Sequence, residues 1–119
     1  MSADTLDPNL LAGRVRQVLA APGGPERLAV TVNNALGDCA EVTSGRHGRS
    51  QVTFRLVDHT ITLSEDKRGV SGEAVHEVRG VVLARTPLDL AEAAQVLATS
   101  LNRATLGRPD LAAELARNL

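Results

Sequence analysis

Read for its hydrophobic and polar positions, the chain changes period twice. Leu11, Val15, Val18 and Leu19 fall on one face of a helix, with Arg14, Arg16 and Gln17 elsewhere. Asp7 and Pro8 mark its start, since Asp caps free amides and Pro suits the first helical position. Pro22-Gly23-Gly24 ends it. Residues 25–36 read two ways. As a helix they open on Pro25 and Glu26, carry a stripe of Leu28, Val32, Ala35 and Leu36, and close at Gly37. As a strand, Leu28, Val30 and Val32 alternate with polar Thr31 and Asn33. The spacing of 28, 32 and 36 and the terminal glycine tip the expectation toward the helix.

From residue 38 the period shortens to two. Ala40 and Val42 suggest a short strand, and Val52, Phe54 and Leu56 alternate with Thr53 and Arg55. Ile61 and Leu63 repeat the pattern with the opposite parity. One regular strand cannot turn both sets to the same face, so a turn or bulge is expected at 57–60. Residues 73–85 form the expected last strand, with Val78, Val82 and Ala84 on one face and the run Val81-Val82-Leu83 covered on both. The helical period then returns. Thr86-Pro87-Leu88-Asp89 reads as a helix start with Thr86 as cap, Pro87 in the first position and Asp89 near the positive helix end. Leu90, Ala94, Leu97 and Leu101 make the stripe, and Gly107 stops it. Pro109-Asp110 opens a last helix, with Leu111, Leu115 and Leu119 on one side.

The order of elements implies an α+β fold. An antiparallel meander of three to four strands, over about residues 38–85, carries one or more N-terminal helices and two C-terminal helices, packed mainly on one face. The other face is expected to meet solvent or a second subunit. Residues 1–6 are expected to be a loose end and 7–119 a single domain, which suits a chain of 119 residues.

Composition narrows the function. Phe54 is the sole aromatic residue, and the formal net charge is -1. Recognition by stacking bases on aromatic rings is therefore excluded, and a domain-wide basic surface for nucleic acid is not favoured. One cysteine, Cys39, excludes an intramolecular disulfide and every multi-cysteine zinc motif. No apolar run approaches the length of a membrane span, and the start lacks the basic and apolar regions of a secretory signal, so a cytoplasmic location is expected. Twelve arginines against one lysine, with abundant Ala, Gly and Val, suggest a bacterial genome rich in G and C.

The candidate chemistry is sparse. The loop Gly45-Arg46-His47-Gly48-Arg49-Ser50 offers two guanidiniums and an imidazole to a phosphate or carboxylate. If 57–60 is a tight turn, a simple meander brings this loop to the same sheet end as Lys67 and Arg68, making an anion-binding edge of Arg46, His47, Arg49, Lys67 and Arg68. His47, His59 and His76 show no metal-ligand spacing, and Cys39 and Asp58-His59 show no nucleophile or acid–base spacing, so no catalytic residue, metal or cofactor is expected. The stripe Leu111, Leu115, Leu119 is a candidate interface, since a small domain is short of cover for it. The leading expectation is a non-catalytic protein that works by protein–protein association, as a homodimer. The alternatives are a binder of a phosphate-bearing ligand or nucleic-acid backbone through the arginine-rich edge, and, last, a small enzyme using one histidine.

Overall fold

The computed structural model describes residues 8–44, 50–56 and 59–119. The loose end expected at 1–6 and the cap expected of Asp7 lie outside them. The elements run α1 (Pro8–Ala20), α2 (Gly24–Leu36), β1 (Ala40–Ser44), β2 (Ser50–Arg55), β3 (Thr60–Asp66), β4 (Gly69–Val78), β5 (Val81–Leu88), α3 (Leu90–Ala104) and α4 (Pro109–Asn118). The strands form one antiparallel sheet in the order β1-β2-β3-β4-β5. Helices precede and follow the meander, so the fold is α+β, as the change of period implies.

Residues 25–36 are helical. Leu28, Ala29, Val32 and Ala35 are buried along one face, while Val30 faces out. The Val-Thr-Val run is β-prone, but burial of this stripe against the sheet outweighs propensity differences of well under 1 kcal/mol per residue. β2 ends at Arg55 and β3 begins opposite it at Thr60, closed by Leu56 N–H donating to the His59 carbonyl at 3.0 Å. The chain therefore reverses direction between Leu56 and His59, which restores the parity. Val52 lies opposite Leu63 and Phe54 opposite Ile61, with all four side chains fully buried on the helical face.

The single strand expected over 73–85 is instead a hairpin. Arg79 and Gly80 both take positive φ, 52° and 80°, as a two-residue turn that matches the twist of its strands requires. Arginine is a rare occupant of this conformation, so the sequence signal is weak. The sheet accordingly has five strands rather than three or four. The second difference follows from the first. β5 continues through Thr86 and Pro87 to Leu88, so Thr86 does not cap α3. Asp89 does: its carboxylate accepts from Glu92 N–H at 2.7 Å, and Glu92 Oε1 accepts from Asp89 N–H at 3.3 Å. This reciprocal box satisfies two free amides of the first turn.

α2 covers β1 and β2, α3 covers β4, and α1 packs on both α2 and α3. Leu11, Val15, Leu19, Leu28, Val32, Leu97 and Leu101 meet Val52, Phe54, Ile61 and Leu63 in one core. At the α1–α2 turn the backbones nearly touch. A Cβ on Gly24 would lie 2.0 Å from the Val18 carbonyl oxygen.

Candidate functional site

The antiparallel pairing of β2 with β3 brings Ser44 and Ser50, which flank the arginine loop in sequence, to the same sheet end as the Asp66–Gly69 turn. Ser50, which follows the arginine loop, pairs with Glu65, next to the Asp66–Gly69 turn that carries Lys67 and Arg68. Arg46, His47 and Arg49 lie outside the described residues. Lys67 and Arg68 are exposed, and Arg68 N–H donates to Asp66 Oδ1 at 2.8 Å. Carboxylates share this end. Gly23 N–H, at the start of α2, donates to both oxygens of Glu65 at 3.3 Å, and Ser50 Oγ donates to Glu26 Oε1. The positive end of α2, a natural seat for an anion, already faces one of the chain's own carboxylates.

The structure brings two of the three histidines together. The rings of His59, before β3, and His76, on β4, have centroids 5.2 Å apart and are tilted by 45°. No local spacing marks this, because the pairing depends on register: Thr60 lies opposite Val75, which sets the next residues, His59 and His76, side by side. His47 is outside the described residues. Among the described residues no group of three His, Cys, Asp or Glu side chains is placed to hold a metal ion. Cys39 is half-buried, and its Sγ lies 3.8 Å from the Leu36 carbonyl.

The stripe on α4 has cover from its own chain. Leu115 is fully buried in the core, Leu119 packs against its margin, and Leu111 is half-buried. The cover comes from α2, against which α4 packs. Leu115 thus docks internally, while Leu111 and Leu119 keep part of their surface; a larger exposed apolar surface lies elsewhere.

That surface is the β4–β5 hairpin. β3 ends its pairing with β4 at Thr60–Val75, so His76, Glu77 and Val78 continue about 10 Å beyond their neighbour strand. Within this extension Val78 is 45% exposed, Val81 60%, Val82 42% and Leu83 60%. The run expected to be covered on both faces is open on both. β5 is exposed at every residue from Val81 to Pro87 and buried only at Leu88. Other large exposed aliphatics, such as Leu10, Val30 and Leu106, occur singly. The pairing also has an irregularity here. His76 lies opposite Ala84 and Glu77 opposite Val82, which leaves Leu83 without an opposite residue on β4, as in a β-bulge. Towards its C-terminal half the strand is guarded by Arg85, which bonds Glu73 at 3.1 Å, and by Pro87, which has no amide to offer.

The sheet face away from the helices is polar. Thr53 and Thr62 hydroxyls are 3.5 Å apart, and Gln51, Thr62, Ser64, Ser71, Gly72 and Glu73 line an open depression of about 290 Å³. Its hydroxyls, amide and one ion-paired carboxylate have no convergent charge or enclosed volume with which to hold a small molecule. No helix among the described residues is long and apolar enough to cross a membrane. No protein-family model, curated protein or solved structure matches this chain.

Proposed function

We propose that the protein is a non-catalytic association module that works by binding protein, with self-association as its basic state. The observation that carries this reading is the aliphatic tip of the β4–β5 hairpin: Val78, Val81, Val82 and Leu83 are contiguous, exposed and at the margin of the sheet. A contiguous apolar patch on an otherwise polar surface marks a contact site, because covering it removes apolar surface from water and lowers the free energy. A two-stranded extension is marginally stable in water by itself, which adds a reason for it to have a partner. The mass in solution, measured by sedimentation equilibrium across the micromolar range, tests the self-association. A mass that rises to that of a dimer with a sharp, reversible concentration dependence is expected. A monomer at every concentration removes self-association from the reading.

A second reading rests on a different observation, the common sheet end of Lys67, Arg68 and the strand ends that flank the arginine loop. It makes this end a site for a phosphate-bearing ligand or nucleic-acid backbone. Binding through several phosphates falls steeply with salt. An Arg46→Ala/Arg49→Ala/Lys67→Ala variant that binds a polyphosphate probe as well as the parent chain does would rule it out.

A further inference from the structure

We infer that the partner of the hairpin is a second copy of this chain, with the two β5 strands meeting antiparallel about a two-fold axis at Leu83. This rests on the association reading and adds to it the occupant, the symmetry and the register.

The two edges of the sheet differ. At the β1 edge, the side chain of Asn33 on α2 takes the backbone groups at the start of the strand. Its Oδ1 accepts from Ala40 N–H at 2.8 Å and Cys39 N–H at 2.9 Å, and its Nδ2 donates to the Ala40 carbonyl at 3.0 Å. With Ala40 sealed, a five-residue strand has little left to pair with. At the β5 edge, no backbone hydrogen bond from a loop or turn among the described residues seals the strand. An edge with free amides and carbonyls is a template for another strand. Joining β5 to the β1 of the next copy would be a heterologous contact that propagates without closing, and Asn33 obstructs it. Joining β5 to β5 is isologous and closes after two copies.

The residues fix the register. A two-fold axis at Leu83 sets Val81 opposite the partner's Arg85 and Val82 opposite the partner's Ala84. Arg85 keeps Glu73 of its own chain as counter-ion. A two-fold axis at Val82 would instead pair only Val81–Leu83, because Arg79 and Gly80 form the turn and lie outside β5. Leu83 is also the residue that β4 leaves without an opposite number. Pro87 ends the ladder, because it lacks an amide, so pairing is confined to Val81–Arg85. Of the four exposed aliphatics, Val81, Val82 and Leu83 lie within this ladder, and Val78 lies beside it on β4, so the pairing brings the apolar tips of both copies together.

The test is self-crosslinking by position. Residues directly opposed in an antiparallel pair have Cα atoms about 4.5–5.5 Å apart, within disulfide reach. In a Cys39→Ser background, Leu83→Cys should form a disulfide-linked dimer under mild oxidation at least tenfold faster than Val81→Cys, whose two copies would lie about 13 Å apart. Leu83→Lys, at an exposed position, should weaken self-association at least a hundredfold, while Leu106→Lys leaves it unchanged. Circular dichroism on each variant separates loss of association from loss of fold. If the parent chain is a dimer, yet Leu83→Lys stays dimeric and Leu83→Cys does not crosslink preferentially, this inference is overturned and the association reading stands with another surface. Equal crosslinking at 81 and 83 overturns the two-fold at Leu83. A parent chain that is monomeric throughout overturns the inference together with the self-association on which it rests.

Discussion

Replacing Phe54 by alanine probes the centre of the core more sharply than any other substitution. Phe54 is the only aromatic side chain in the protein and the largest of the fully buried ones. It sits on β2 between Ala40 of β1 and Ile61 of β3, on the face that α2 covers. Alanine at this position removes the ring and leaves a cavity bounded by backbone and by small aliphatics, which collapse poorly into it. Such a change costs about 3–5 kcal/mol. A domain of this length has an unfolding entropy near 0.25 kcal/mol per kelvin, so Tm should fall by about 12–20 °C. Phe54→Leu keeps most of the volume and should cost about 1–1.5 kcal/mol. Far-UV circular dichroism during heating is the assay, since the chain has no Trp or Tyr to follow by fluorescence. A urea titration with an unchanged slope would confirm that the native state, and not the unfolded one, has changed. If Phe54→Ala lowers Tm by less than about 4 °C, the core does not centre on this residue and the strand parity is wrong.

Gly24→Ala should destabilise by about 3 kcal/mol or more, because the added Cβ meets the Val18 carbonyl oxygen at 2.0 Å and the Leu19 Cα at 2.8 Å, both backbone atoms that cannot step aside. Gly13→Ala, with open space at its Cβ inside α1, should instead stabilise by about 1 kcal/mol, and paired thermal melts compare the two. Asn33→Ala should cost about 1–3 kcal/mol by urea denaturation, since it strands the Ala40 amide in a part-buried site, while Cys39 N–H keeps the Gly37 carbonyl as acceptor. Asp89→Ala should cost about 1 kcal/mol through loss of the α3 cap while Thr86→Ala stays within about 0.5 kcal/mol, and the reverse order would restore Thr86 as the helix start.

What could be read from the sequence was whatever rests on periodicity and on strong local signals. Pro8 and the 11/15/19 stripe place α1, and the opposite parities of 52/54 and 61/63 require a turn or a bulge, between which the antiparallel pairing of β2 and β3 decides. The 25–36 segment was balanced locally, and only the sheet beneath it, which buries Leu28 and Val32, decides for the helix. The missed hairpin has a physical cause. Its turn is Arg79-Gly80, flanked by β-branched residues on both sides, and an arginine at positive φ carries none of the signal of Asn-Gly or Asp-Gly. Without that turn in view, the start of α3 reads at Thr86 instead of Asp89, and an open hairpin tip reads as a covered strand. The candidate sites were less legible. The pairing of His59 with His76 depends on register across two strands, and the sealing of β1 by Asn33 depends on where α2 lands. The Leu111/Leu115/Leu119 stripe is visible in the sequence, but that Leu115 alone of the three is fully buried depends on how α4 packs on α2.

The claim at the centre of this account is that the outer edge of β5 is where the protein associates. Amide hydrogen exchange resolved by residue, followed as a function of protein concentration, tests it most directly. If two copies pair at this edge, amides within Val81–Arg85 that exchange fast in dilute solution should slow at least tenfold as the dimer forms. The Ala40 and Cys39 amides, already held by Asn33, should not change. Association accompanied by unchanged exchange across Val81–Arg85 would contradict the claim.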